Sequence, residues 1–553
     1  MVRGEIRQYK PKGTEGAYSV MKKHCTFWKA LSLCVALLMA LTACAAPAGN
    51  VNNSAPADSA GSSSEPQSDD LPYVEFDWNL FLTQPTDAQM VIDKINEYIK
   101  PLINAKVNLH FMGGTEAASK ASVMVNSGED FGLIDFGVFS KLDYAIQSQN
   151  GSFYPLEDLM DKYGPDVKAM FPQSVWDAIT VNGHIYGVPT LKDNCYIMSF
   201  VYNKDLATEL GLTIPKTYKN YTDLEQFFLD ALAKRDAKYG KLDGVPLVDS
   251  SLGEAFPYNL AVESFINNTF FAVSNIDGIN DIAGKDSKTI FNLYETPEFA
   301  NLCKFNVRMV NAGVMLEDYE GKGTTLTDDP RTLGMPGWGY SYVPEHLLSS
   351  KYTTDMIPPE RVWTDSNNYT SCGTSIAANC KNPERVFMFV NLLNTDSKLA
   401  TMLRFGVEGQ HYLRDSAGKM VLEGSPRNSD PANMGYLIWY GADIGNLLIV
   451  EAPESYGGPD GITLKRIGEY NAKAAIPTHM GMLINMEPIK NEIAACTSVV
   501  EEFVPTLQKG SLGDEAKVDS TIKQLNDKLY SSGLQKILDE VQKQADTFIA
   551  NKK

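Results

Sequence analysis

Val74-Glu75-Phe76-Asp77-Trp78 opens the stretch on which the fold turns. Its apolar side chains fall at every second residue, the period of a half-buried strand. Thr86 followed three residues later by Gln89 reads as a capping box, and Val91, Ile95, Tyr98, Ile99 and Leu102 share one face of the helix it would open. Val107, Leu109 and Phe111 alternate again. Gly113-Gly114 then turns the chain into a helix predicted over about 116–127, which Gly128 stops, and residues 131–136 form a third, mostly apolar strand. Strand, helix, strand, helix, strand with short connections predicts an α/β domain built on a parallel sheet. Such sheets bind ligands beyond the carboxyl ends of their strands, so the loops after Trp78 and Asp135 are the first places to look for a site.

Further on, several segments follow one another in a fixed order. Tyr154-Pro155-Leu156-Glu157-Asp158-Leu159 comes first, then Trp176, then Asn182-Gly183-His184-Ile185-Tyr186-Gly187-Val188-Pro189. Tyr202-Asn203-Lys204-Asp205-Leu206 and Leu210-Gly211-Leu212 lead to Pro215 and Thr217. Ser375-Ile376-Ala377 reads as a returning strand, Asn382-Pro383-Glu384 starts a helix containing 389–393, and Phe405-Gly406 ends the next before Glu408-Gly409. This series resembles the extracellular solute-binding proteins of ABC importers, in the carbohydrate-associated family that includes the maltodextrin-binding type. The resemblance implies a two-lobe fold of the periplasmic-binding-protein kind, with hinge strands between two α/β lobes that close on a ligand.

The local physics agrees with it. Asn182-Gly183 is a strong hairpin turn, and the Gly187-Val188-Pro189 that follows extends the chain away from it. Asn382 with Pro383 behind it, and Asp396 ahead of the helix that Gly406 stops, are helix-start signals. Crossings between lobes are expected near 189–196 and 370–376, with a third after Gly409.

The C-terminal region is helical on periodicity alone. Val518, Ile522, Leu525 and Leu529 make one stripe, Gly533 breaks it, and Leu534, Ile537, Leu538, Val541, Ala545, Phe548 and Ile549 make another. From about Met480 onward the chain resembles a helical C-terminal domain found in large Gram-positive lipoproteins of this kind. The expected organisation is lobe 1 at 71–190 plus about 374–415, lobe 2 at 191–373 plus about 416–480, and helices at 481–553 packed on lobe 2.

The N-terminal end carries an address. Residues 1–20 read as an upstream extension. Lys22 and Lys23, an apolar run over 30–40 and the box Leu41-Thr42-Ala43-Cys44 make a secretory signal too short to span a bilayer. It resembles a bacterial lipoprotein signal, which implies removal of residues 1–43 and lipidation of Cys44. Residues 44–70 hold that cysteine and a linker of small and polar residues, with too little apolar surface to order it. The expected location is the outer face of the cytoplasmic membrane. Residues 1–43 carry seven Lys/Arg and two Asp/Glu, so their loss turns a net charge of −19 into −24. A chain that acidic disfavours nucleic acid as a partner.

Catalytic signals are lacking. The histidines after the leader are scattered and without metal-ligand spacing, and there is no phosphate loop, nucleophile elbow or calcium loop. Cys195, Cys303, Cys372, Cys380 and Cys496 make an odd set with no Cys-x-x-Cys pair, leaving at most a bridge such as Cys372 to Cys380. Adjacent acidic residues such as Glu129-Asp130 point apart on a solvated surface, whereas a polysaccharide-acting enzyme, the alternative reading, needs a convergent carboxylate pair. A peptide ligand or a sensor role on the same fold is the other alternative.

What a sugar cleft needs is present: flat aromatic faces for C–H patches, and amides and carboxylates for hydroxyls. Trp78, Asn79 and Gln84 follow the first strand, Asp135 and Phe139 lie at the third, and Trp338 and Tyr340 stand among glycines in 337–340. Trp439 offers a wall from the C-terminal half, and Tyr196 falls at the first crossing. Trp176 and Trp363 read as structural. The sequence therefore predicts a monomeric, cofactor-free binding subunit for a carbohydrate, handing its ligand to membrane permease subunits.

Overall fold

The computed structural model describes residues 71–552, apart from 115, 138–139, 250, 267–268, 318–328, 338–352, 431–432, 439–443 and 454–461. The chain begins with β1 (Val74–Leu80), α1 (Ala88–Ile103), β2 (Ala105–Phe111), α2 (Ala117–Asn126), β3 (Leu133–Gly137) and β4 (Gly187–Pro189). Then come β5 (Ser199–Asn203), α3 (Pro297–Ala312), β6 (Gly334–Gly337), β7 (Thr354–Ile357) and β8 (Cys372–Ile376). The helices α4 (Pro383–Thr395), α5 (Ser397–Phe405), α6 (Ile462–Lys473), α7 (Lys490–Lys509), α8 (Glu515–Ser531) and α9 (Leu534–Asn551) complete it.

Two sheets organise two lobes. The first has the order β2-β1-β3-β8-β4, with β1 parallel to β2 and β3. The returning β8 runs antiparallel to both β3 and β4, which makes the sheet mixed where the N-terminal rhythm alone predicts a parallel one. The second sheet is β6-β5-β7, both neighbours antiparallel to β5.

Each sheet has its own hydrophobic core. Around the first gather Trp78, Val91, Ile95, Ile99, Leu133, Phe387 and Phe389. The second core joins Phe200, Phe228, Phe299 and Phe305 to Leu507, Leu525, Leu529, Ile537 and Val541 of α7, α8 and α9. The C-terminal stripes thus close against the second lobe, and burying them removes a large apolar area from water. Arg308 ties the same surfaces together, its guanidinium donating to both oxygens of Glu225 at 2.7 and 2.8 Å and to Glu515 at 3.3 Å.

Several local details differ from expectation. No capping box forms at Thr86; α1 starts after Asp87, whose carboxylate receives Arg427 and His411 instead of the helix N–H groups. Leu102 is exposed, because the buried face of α1 continues through Ile99 to Ile103 and leaves Leu102 beside it. Asn382 makes no side-chain cap bond, whereas Asp396 accepts from Leu399 N at 2.9 Å. Asn182 and Gly183 both take positive φ, as a tight hairpin requires. Cys372 and Cys380 are not bridged by a disulfide. Residues 416–480 do not join the second lobe as a block: Tyr436, Ile438 and Ile444 pack in the first core. Cys44 lies outside the described residues. Among those described, no helix is long and apolar enough to cross a membrane.

Candidate ligand site on the hinge

Three chain segments run side by side between the lobes. Tyr196 bridges Trp363 in antiparallel fashion, and Trp363 bridges Ala475 in parallel. Tyr196 N donates to Trp363 O at 2.6 Å, Ala475 N to Val362 O at 2.9 Å, and Thr364 N to Ala475 O at 3.0 Å. The second crossing therefore centres on Trp363 rather than on 370–376, since β8 lies wholly within the first sheet.

Side chains alternate across this ribbon, as they must in extended chain. Cys195, Ile197 and Val362 point to one face and pack with Leu447 and with Ile467 of α6. Tyr196 and Trp363 point to the other. There the Tyr196 ring stacks on Trp363 with centroids 4.2 Å apart and on Tyr258 at 5.9 Å. Trp363 is only 3 % exposed and serves as the base of the stack. Tyr196 and Tyr258 keep part of their surface open.

A carboxylate completes this face. Trp363 and Asp365 are two residues apart and share one side of the strand; Tyr196 Oη donates to Asp365 Oδ2 at 3.1 Å. Asn368 holds the other oxygen, donating from its backbone N and its Nδ2, both at 3.1 Å. Burial pushes the Asp365 carboxyl up to about 7, and the nearby Glu263 adds to the rise against the pull of these donors. Tyr196 is raised well above the usual phenol range by burial and by Asp365, and Tyr258 is raised for the same two reasons. Glu263 is 5 % exposed and His479 is fully buried, their nearest atoms 3.5 Å apart. Ser274 Oγ stands 3.3 Å from His479 Nδ1. The hinge face is thus aromatic, rich in acceptors and negative. Among the described residues no group of His, Cys, Asp and Glu is arranged to hold a metal.

The structure places the sequence-predicted residues unevenly. Tyr196 stands at the centre of this face. Gln84 is exposed in the loop beyond β1. Trp78 is a correction: it is fully buried, edge-on to Phe389 at 5.4 Å, and offers no face to a ligand. Asn79 is likewise buried, its Nδ2 donating to Phe131 O at 2.8 Å. Asp135 sits within β3 opposite Thr374, half-buried, and accepts from Trp78. Phe139, Trp338, Tyr340 and Trp439 lie outside the described residues; β6 ends at Gly337, paired with Ser199 at the hinge end of the second sheet. Sequence reasoning missed Tyr258, Glu263, Asp365 and His479. The Trp363-x-Asp365 spacing, which puts both on one side of an extended segment, was the signal available for Asp365.

A separate surface groove of about 710 Å³ lies between the second half of α1 and the first turns of α5, lined by Tyr98, Lys398, Tyr412 and Arg414. Gln84 precedes the first turn of α1, so the groove is at the opposite end of that helix from the strand tips. Tyr98 there donates to Asp396 at 2.8 Å and is pushed up to about 12 by burial and by that carboxylate.

Comparison with known proteins fits this layout. Residues 95–407 match the family model described as bacterial extracellular solute-binding protein, and residues 478–550 match a domain of unknown function. A carbohydrate ABC transporter substrate-binding protein of Streptococcus pneumoniae is 26 % identical over 541 residues, spanning 95 % of this chain and 99 % of the relative. The crystal structure of the N-glycan transport solute binding protein from Streptococcus pneumoniae superposes with a TM-score of 0.71 at 22 % identity, over 87 % of this chain and 100 % of that one. An HMO-binding, ABC-transporter-associated solute binding protein from Bifidobacterium longum infantis gives 0.54 at 16 %, over 87 % and 100 %. The two-lobe fold is shared with both.

Proposed function

Because the chain belongs to the bacterial extracellular solute-binding protein family, we propose that it captures a carbohydrate between its two lobes and passes it unaltered to the permease of an ABC importer. The observation that carries this reading is the stack of Trp363, Tyr196 and Tyr258 beside Asp365, set on the ribbon that joins the lobes. Aromatic faces receive the C–H patches of a pyranose ring and the carboxylate receives its hydroxyls. The near full-length relative, a carbohydrate ABC transporter substrate-binding protein, supports the same ligand class. Binding that bridges the lobes favours the closed arrangement by the difference in affinity between closed and open states. Residues 1–43 are removed in this reading, and acylated Cys44 leashes the protein outside the cell as a monomer without cofactor.

Titration calorimetry of residues 71–553 with a panel of oligosaccharides, followed by chromatography of the recovered sugar, tests the proposal. One molecule of unchanged sugar bound per chain is expected. Cleaved sugar would point instead to an enzyme, and heat from none of the sugars would overturn the ligand class.

A further inference from the structure

The charge on the hinge face has a consequence for which sugars fit. Asp365 and Glu263 feel each other's charge, and burial acts on Asp365 more strongly than any neighbour. Glu263 raises Asp365, while Tyr196 and the Asn367 and Asn368 backbone pull it down. Among the described residues, the one basic group within ion-pair distance of Glu263 is His479. That imidazole is fully buried, with its Nδ1 turned to Glu263 and Ser274, and its Nε2 has no hydrogen-bond partner among the described residues. Tyr196 donates its hydroxyl hydrogen to Asp365, which leaves the Tyr196 oxygen its own lone pairs. A ligand settling on the Tyr196 and Tyr258 rings meets the acidic pair of Asp365 and Glu263, with the Asn367 side chain bonded to Tyr196 beside it.

Resting on the reading of this chain as a carbohydrate-binding protein, we propose that Asp365, positioned by Tyr196 and backed by Glu263, selects uncharged, hydroxyl-donating sugars and bars carboxylated ones. A neutral sugar supplies O–H donors to carboxylate oxygens, which are strong acceptors. A uronate brings a further carboxylate against Asp365 and Glu263. At an effective dielectric constant near 20 and a separation of about 6 Å, one such repulsion weakens binding about 100-fold.

The test compares neutral tetrasaccharides (malto-, cello-, manno- and chito-) with tetragalacturonate and tetramannuronate by titration calorimetry at pH 8. The parent protein is expected to bind at least one neutral sugar at least about 100-fold more tightly than either uronate. Asp365→Asn should narrow that gap about tenfold, and Glu263→Gln should narrow it as well; unfolding curves of both variants confirm the fold. Uronates bound as well as neutral sugars would overturn this inference and leave the carbohydrate reading standing. A gap unmoved in both variants would remove the two carboxylates from the role. Binding of no sugar of either kind would overturn the reading and this inference with it.

Discussion

Trp78 Nε1 donates to Asp135 Oδ1 at 3.2 Å, so two residues that sequence spacing assigns to a cleft wall satisfy each other inside the first lobe. Both sit on strands of one sheet, and the indole edge is closed by Phe389 of α4. Trp78→Phe keeps most of the buried volume and loses one hydrogen bond, an expected cost of about 1 kcal/mol. Trp78→Ala should cost about 3–5 kcal/mol through the cavity it leaves. Urea unfolding measures both, and sugar affinity of the Phe variant should stay within about twofold of the parent. A tenfold loss of affinity in a well-folded Trp78→Phe protein would put the indole back at the ligand.

Asp365 predicts a slope of stability with pH. Its carboxyl titrates at about 7 in the folded chain and near ~3.9 in an unfolded one. Between those values the native state holds a proton that the unfolded state has released, so the contribution of Asp365 to stability is greatest below about pH 4 and is lost as pH rises through about 7. The groups that face it are Glu263, Tyr196, Tyr258 and Tyr369, with His479 beside Glu263. Asp365→Asn, which carries no charge at any pH, should flatten this part of the profile and be the more stable protein at pH 8, by an amount on the order of 1–3 kcal/mol. Urea midpoints at pH 4.5 and pH 8 read the effect, and parallel profiles for parent and variant would contradict it.

Period and punctuation made much of the fold legible. Alternation at 74–78 and 107–111, the Asn182-Gly183 turn, the Asp396 cap and the C-terminal stripes are local signals, and each corresponds to an observed element. The antiparallel course of β8 is not local. It depends on a strand more than two hundred residues after β3, and nothing near Cys372 states its partner. The site was read less well for a related reason. Position after a strand points to Trp78 and Asn79, yet β1 continues to Leu80, which keeps both inside the sheet. Tyr258 and Glu263 lie in a region of short elements with no strong periodicity, and only the folded chain brings them to Tyr196.

Asp87 shows how a failed sequence signal marks a tertiary one. Its carboxylate is buried and receives Arg427 Nε at 2.7 Å, a second bond from Arg427 Nη2, and His411 Nε2 at 3.3 Å. His411 Nδ1 accepts from Val407 N at 3.0 Å, which leaves Nε2 as the donor to Asp87. The guanidinium holds Asp87 below the usual carboxylate range, so this stabilisation is present above the unfolded value and is lost as pH falls through the folded one. Arg427→Ala leaves a buried charge with a single imidazole partner. Stability at pH 7 should fall, by less than for a fully buried pair because Arg427 is itself exposed. The variant should also lose less stability than the parent between pH 5 and pH 3, as thermal unfolding across that range would show. An unchanged acid limb would mean that Arg427 contributes nothing to holding residues 410–435 on α1.

The strap ahead of the C-terminal helices touches both lobes within three residues. His479 is buried beside Glu263 and Ser274, Met480 is buried in the first core, and Gly481 N donates to Ser366 Oγ at 2.8 Å. Gly481 has φ +89°, and a β-carbon there would lie 2.7 Å from the Ala178 α-carbon. Gly481→Ala therefore meets an unfavourable backbone conformation and a fixed backbone neighbour together. The expected loss is about 2–4 kcal/mol, larger than for a glycine with open space around it. Gly513 supplies that control, since it also has positive φ (+71°) but nothing within 4 Å of the added carbon. Gly513→Ala should cost about 1 kcal/mol from conformation alone. If the strap helps set the spacing of the lobes, Gly481→Ala should also weaken sugar binding and raise the radius of gyration seen by small-angle scattering, while Gly513→Ala does neither. Equal effects of the two substitutions on affinity would show that the strap anchors the helices without governing the hinge.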